Sequence, residues 1–160
     1  MPVDSKVATN IIQILANLPD FLRKPILQNK LEEFYSMQYS DKRETISKIL
    51  EAAAFIETKR LSILIRTWME ILSKFDGEKI TTMLRIYCEE ILKNPTTLQK
   101  LNTESLIEVF STLEDRQKEI LTNCLKEVIL SFPNRYDMIK VIPEDALKIL
   151  KIKYHRQSSL

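Results

Sequence analysis

The chain has 160 residues, of which 44% are hydrophobic and 29% charged, and a formal net charge of only +2. That balance fits one ordinary globular domain needing neither disulfide nor metal to fold, and it argues against a disordered chain or a bundle of membrane spans. The single glycine, Gly77, where average usage would give roughly eleven, nearly excludes tight hairpins and phosphate-cradling loops, since both need backbone at positive φ.

Asp4 or Ser5 can cap a first helix reaching Asn17, with Val7, Ile11, Ile14 and Leu15, joined by Ile12, on its core face. Pro19 and Pro25 each suit a first helical turn, which predicts a short helix followed by a longer one through Ile26, Leu27, Leu31, Phe34 and Tyr35. Ser40 or Asp41 is the expected N-cap of the next helix, with Asp41 and Glu44 at capping-box spacing. Ile46, Ile49, Leu50, Ala53 and Ile56 follow at helical spacing, and Ala52, Ala53 and Ala54 would let a neighbouring helix approach closely.

From Lys59 to about Lys74 the apolar residues form a stripe so broad that this helix needs neighbours on more than one side, which makes it the candidate central helix. Phe75 to Glu78 breaks the chain before a helix carrying Ile80, Met83, Leu84, Tyr87, Cys88, Ile91 and Leu92 up to Asn94-Pro95. Asn102 opens a short helix to Phe110, and Leu113-Glu114-Asp115 opens a long one that stops at Pro133. Arg135 to Val141 and a last helix behind Pro143-Glu144-Asp145 form a helical hairpin.

The fold class is therefore all-α, with about seven or eight helices in an irregular bundle or a right-handed superhelix. Residues 1–152 form one domain and 153–160 a basic, frayed tail. Aromatics at helical spacing usually fill cores, so Phe55, Trp68, Tyr87 and Phe110 are assigned there, with any surplus on the Leu61–Leu72 stripe left for a dimer.

An apolar residue followed by an acidic turn recurs from Leu18, Tyr39, Phe75, Leu113 and Ile142, which reads either as an irregular internal repeat or as a series of ordinary helix starts, with the phrases Leu18-Pro19-Asp20, Leu113-Glu114-Asp115 and Ile142-Pro143-Glu144 the most alike. This is how amphipathic helices commonly begin. These phrases also resemble helix starts in the cytoplasmic helical superhelix of magnesium transporters and in the armadillo-like domains of flagellar motor switch proteins. The resemblance implies a stacked helical scaffold that binds protein. It carries over no metal site, because no acidic ligand motif aligns.

Chemistry-bearing motifs are scarce. One glycine cannot build a phosphate loop. The lone histidine, His155, lies in the tail, and a catalytic triad or a zinc site would need a better anchored residue. Glu32-Glu33, Glu89-Glu90 and Glu114-Asp115 are adjacent in helices, so each pair points about 100° apart and cannot converge on one atom. The first two pairs are read as solvated faces and the third as compensation of a helix dipole. Cys88 and Cys124 are read as buried thiols of a reducing compartment.

These readings point to a non-enzymatic scaffold or interaction module that takes a protein partner or self-associates, uses no cofactor and resides in the cytoplasm. The N-terminus shows no secretory signal, and no apolar run is long enough to span a bilayer. The alternative is a small nucleic-acid-associated regulator. Its contacts would be Lys148, Lys151, Lys153 and Arg156, because residues 133–160 hold six Lys/Arg against three Asp/Glu.

Overall fold

A computed structural model describes residues 5–152, which form ten helices and no strand. In chain order they are α1 (Ser5–Asn17), α2 (Asp20–Ser36), α3 (Tyr39–Ala53), α4 (Thr58–Leu72), α5 (Gly77–Lys93), α6 (Thr96–Gln99), α7 (Thr103–Ser111), α8 (Asp115–Ser131), α9 (Arg135–Val141) and α10 (Glu144–Leu150). The expected seven or eight helices undercount, because pieces as short as α6 complete barely one turn and leave no readable apolar period. The tail assigned to 153–160 lies outside the described residues.

Local capping sets several boundaries. The Asp76 carboxylate accepts the Lys79 N–H at 2.9 Å to start α5, and the Asn102 side chain accepts the Ser105 N–H at 3.1 Å to start α7. At α8 the Gln117 side chain accepts the Glu114 N–H at 3.2 Å, half of a capping box. Leu18, Leu113 and Ile142 precede α2, α8 and α10, and each packs into the core.

Two sequence expectations fail at such boundaries. α3 begins at Tyr39 behind Gln38, so Asp41 sits in its first turn and does not cap it. α2 runs unbroken through Pro25. Its first turn is held by the Arg23 guanidinium, which donates to the Leu18 carbonyl at 2.6 Å and to the Thr67 hydroxyl at 3.3 Å, and pairs with Asp20. Those ties outweigh the one backbone hydrogen bond that Pro25 forfeits.

The helices pack mostly on elements two or three places along the chain. α1 lies on α3, α3 on α5 and α5 on α8, while α2 lies on α4 and α4 on α7. Two rows result, crossed by contacts of α4 with α1 and α8, and α9 and α10 close on α8. The four neighbours of α4 explain its broad apolar stripe.

Ala8 and Ala16 of α1 share a core with Ala52 and Ala53 of α3. This small-residue packing rotates α1 away from the expected face, leaving Ile14 61% exposed while Ile12 and Leu15 are buried. α5 joins this core to a second one, since Ile80, Met83 and Ile86 belong to the first and Cys88 to the second, with Val128, Ile129, Met138 and Leu147. Phe55 is not core but 77% exposed, because α3 ends two residues before it and turns its side chain outward.

Two positions give stability predictions. Gly77 is the first residue of α5, does not have positive φ, and offers open space to a Cβ. Gly77→Ala is therefore expected to stabilise the fold by about 0.4–1 kcal/mol, chiefly by restricting the unfolded chain, read as a higher urea midpoint at unchanged slope. Lys151, by contrast, occupies the left-handed region at φ 56°. The Ile152 N–H reaches the Leu147 carbonyl and the Lys151 N–H the Lys148 carbonyl, both at 3.1 Å, forming a Schellman turn in which buried Ile152 packs with buried Leu147. Lys151→Gly keeps that turn, relieves the left-handed penalty and should add about 1 kcal/mol, checked by the same denaturation.

Candidate functional site

α7 is the anomaly of the fold. Its nine residues include Leu106, Ile107, Val109 and Phe110, yet none of its residues is buried. One side of α7 rests on α4, and Leu106, Ile107 and Phe110 face an open groove. Phe110 packs against the edge of the first core, but Leu106, Ile107, Val109 and Phe110 all stay half-buried, and that incomplete burial is what core packing leaves unexplained.

The groove has a volume of about 250 Å³. α4 contributes Trp68, Met69 and Leu72, α5 contributes Leu84, and α8 contributes Leu121, Thr122 and Leu125. Pro143, Ala146, Ile149 and Leu150 form the α10 wall. The only hydroxyls in the lining belong to Thr103 and Thr122. Trp68, the one tryptophan of the chain, is fixed edge-on against Tyr87, with ring centroids 5.3 Å apart. Burial pushes the Tyr87 phenol well above its ordinary range, so at neutral pH it stays uncharged beside the groove wall.

A second hollow continues the first. It shares Thr103 and Pro143 and runs on past Pro95, Leu98, Leu101, Lys140 and Val141. The combined depression is elongated, and it follows the α7 wall from the junction with α6 towards the end of α10.

No charged side chain lines the first hollow, and Lys140 is the one in the lining of the second. α7 carries Glu104 and Glu108 and no base, and α10 carries Glu144 and Asp145 against Lys148. These four carboxylates are exposed, and none forms an ion pair among the described residues. Lys118 of α8 is committed to Asp115 at 3.3 Å, and Lys140 to Asp137 at 3.9 Å.

The residues singled out for nucleic acid fare differently. Lys148 and Lys151 are both exposed, but α10 stops at Leu150 and the left-handed turn at Lys151 ends the helical face that would have aligned them. Glu144 and Asp145 stand one turn away on the same helix. Lys153 and Arg156, with His155, lie outside the described residues.

Other reactive groups are tied into structure. Burial pushes the Cys88 thiol up to about 12, and burial together with the Glu127 charge also raises Cys124, so neither is a ready thiolate nucleophile. Glu89 and Glu90 diverge as adjacent helical positions must, Glu89 taking the Tyr39 hydroxyl and Glu90 the Arg43 guanidinium. The expectation of a solvated face is wrong for Glu90, which is buried; its salt bridge to α3 supplies what water would. Among the described residues no three His, Cys, Asp or Glu side chains are grouped to hold a metal, and no helix is long and apolar enough to cross a membrane.

Sequence reasoning missed the groove because its walls come from five helices. One local signal was available, namely an apolar stripe on a helix of only nine residues, too short for such a stripe to signify a central element. Comparison with protein-family models, with curated proteins and with solved structures finds no match to the chain.

Proposed function

We propose that the protein is a non-enzymatic helical scaffold whose groove between α4, α7, α8 and α10 receives an amphipathic helix from a protein partner. The observation that carries this reading is α7, an apolar helix with no buried residue, facing a depression with an almost wholly apolar lining. The two rows of helices, each packing on the element two or three places along, agree with a short superhelical stack better than with a closed bundle. Such stacks present continuous surfaces for extended ligands.

Shape and polarity favour a helix over a small molecule. Small-molecule sites fix their ligand through a few convergent polar groups, whereas here the first hollow has only two threonine hydroxyls, and Gln99 and Lys140 belong to the second hollow alone. A helix presenting apolar anchors at i, i+3, i+4 and i+7 needs no such groups, because its own backbone is already hydrogen-bonded. The nucleic-acid reading has less support, since the described lysines share α10 with two acids and phosphate binding requires a net basic face.

The test uses a labelled peptide of about sixteen residues with a leucine stripe at helical spacing and neutral glutamine flanks. Fluorescence anisotropy should rise saturably, and Ile149→Gln should weaken binding. If the peptide does not bind, while a long-chain fatty acid or mixed DNA at low salt does, the scaffold reading fails.

A further inference from the structure

We infer that the partner helix lies with its C-terminal end over the second hollow, and that this end carries a carboxylate met by Lys140; this rests on the groove being a helix-binding site. The trough differs at its two ends. The first hollow offers no charge and only the hydroxyls of Thr103 and Thr122, whereas the second adds the Gln99 amide and the Lys140 ammonium. An amphipathic helix therefore has one placement that sets its apolar stripe against the first hollow and leaves a polar end for the second.

The polar groups at that end supply donors. An ammonium donates three hydrogen bonds and accepts none, and an amide and a hydroxyl donate as well. A helix leaves its last four carbonyls without intrahelical partners and gathers partial negative charge there, while its other end presents N–H groups that a cation repels. Lys140 accordingly suits the C-terminal end of an incoming helix, as lysines suit the last turn of their own. The walls agree on this direction. α7 starts at Thr103 and α10 directly after Pro143, the two residues that both hollows share, and each helix then lines the first hollow alone. Both walls run away from the second hollow, so a helix whose C-terminus rests there lies antiparallel to them, with its dipole opposed to theirs.

Lys140 stands in the last turn of α9, whose dipole it offsets, and its ion-pair partner is Asp137 on the same helix. Those roles leave the ammonium open to a further partner. The two groups are 3.9 Å apart with side chains 76% and 65% exposed, a pair of the kind that contributes little. Glu104 and Glu144 follow Thr103 and Pro143 in sequence but line neither hollow. An occupant of the trough thus covers one charge of the lining, and a carboxylate on the occupant replaces the water that the ammonium gives up.

The experiment uses two glutamine-flanked leucine-stripe peptides that differ only in whether a single glutamate stands in the C-terminal or the N-terminal flank. Each is titrated by anisotropy against the full chain, Lys140→Gln and Lys140→Glu. The ratio of affinities for variant and unchanged chain is read for each peptide, so differences in the peptides' own helicity cancel. At about 0.1 M salt Lys140→Gln should weaken the C-terminal-glutamate peptide about threefold, the effect of losing a solvent-accessible pair, and Lys140→Glu about tenfold, since repulsion replaces attraction. The N-terminal-glutamate peptide should hardly respond. At about 1 M salt the losses should shrink, as the screening length falls from about 10 Å to 3 Å. Because Lys140 is so exposed, both variants should unfold at nearly the temperature of the unchanged chain, which thermal denaturation checks.

An equal response of the two peptides, including none in either, overturns the placement and leaves the groove standing on the glutamine-flanked peptide. A response confined to the N-terminal-glutamate peptide also overturns it, since the helix then lies the other way round. Failure of all three peptides, with or without binding of a long-chain fatty acid, removes the groove reading itself. The inference is equally overturned if the free protein is a dimer that Ile149→Gln converts to monomer, because a second copy is then the occupant.

Discussion

Arg43→Met is expected to destabilise the protein by about 3 kcal/mol, the low end of the range for stripping a buried ion of its only partner. The Glu90 side chain is 6% exposed and accepts both the Arg43 Nε at 3.3 Å and the Nη2 at 2.9 Å on a single oxygen. Its hydrogen bond is also the leading cause that holds the Arg43 guanidinium above its ordinary range. Arg43 itself is 36% exposed, so water reaching the vacated space keeps the loss from being larger.

The informative comparison is with the other two corners of the cycle. Glu90→Leu removes the buried charge and leaves a guanidinium that can turn to solvent, so its cost should stay below about 1 kcal/mol. Adding Arg43→Met to Glu90→Leu should then cost little more. Urea denaturation of the three variants gives the coupling directly. If the two single substitutions cost the same, the pair is held by something other than the burial of Glu90. The exposed pairs offer a contrast, since Lys30 with Glu33 at 3.7 Å, both half solvated, should contribute almost nothing when removed.

The second large effect concerns the groove. Ile149→Gln should reduce affinity for the glutamine-flanked peptide about tenfold. The loss combines about 0.5–1 kcal/mol for the third of the isoleucine that binding would newly cover with about 1 kcal/mol or more for desolvating an amide that finds no partner in an apolar lining. Because Ile149 is 36% exposed in the free protein, the same change should lower the urea midpoint modestly and leave the protein folded. Separation of the two readouts is the point of choosing this residue over Leu72, which also lines the groove but is fully buried and whose truncation would unfold the core.

How far the sequence reveals this molecule depends on how local the deciding interaction is. The starts of α5, α7 and α8 were legible because Asp76, Asn102 and Glu114 act within three residues of themselves. The course of α2 was not, because the residue that organises its first turn, Arg23, is stabilised by Thr67, 44 positions away. A buried arginine with Phe21 74% exposed two residues earlier inverts the amphipathic pattern of that helix, and no period analysis recovers an inversion set by tertiary partners. The start of α3 was misplaced for a similar reason, since Tyr39 is engaged by Glu89 of α5.

Of the candidate site, the sequence exposed the materials and not the assembly. The apolar run of α4 was noticed as too broad for one neighbour, and part of the surplus, Trp68 and Met69, faces the groove. What could not be read is that Leu106, Ile107 and Phe110 arrive opposite them with nothing between, because that follows from the packing of α7 on α4 and of α10 on α8.

The most direct measurement uses the tryptophan already in place. Trp68 lines the groove and is the only tryptophan in the chain, so its emission reports occupancy without a label on the protein. Titration with the glutamine-flanked peptide should shift Trp68 emission to shorter wavelength as water leaves the groove, with the same midpoint as the anisotropy curve and with the shift lost in Ile149→Gln. Saturable peptide binding that leaves Trp68 emission unchanged and is indifferent to Ile149→Gln would place the binding surface elsewhere and contradict the account.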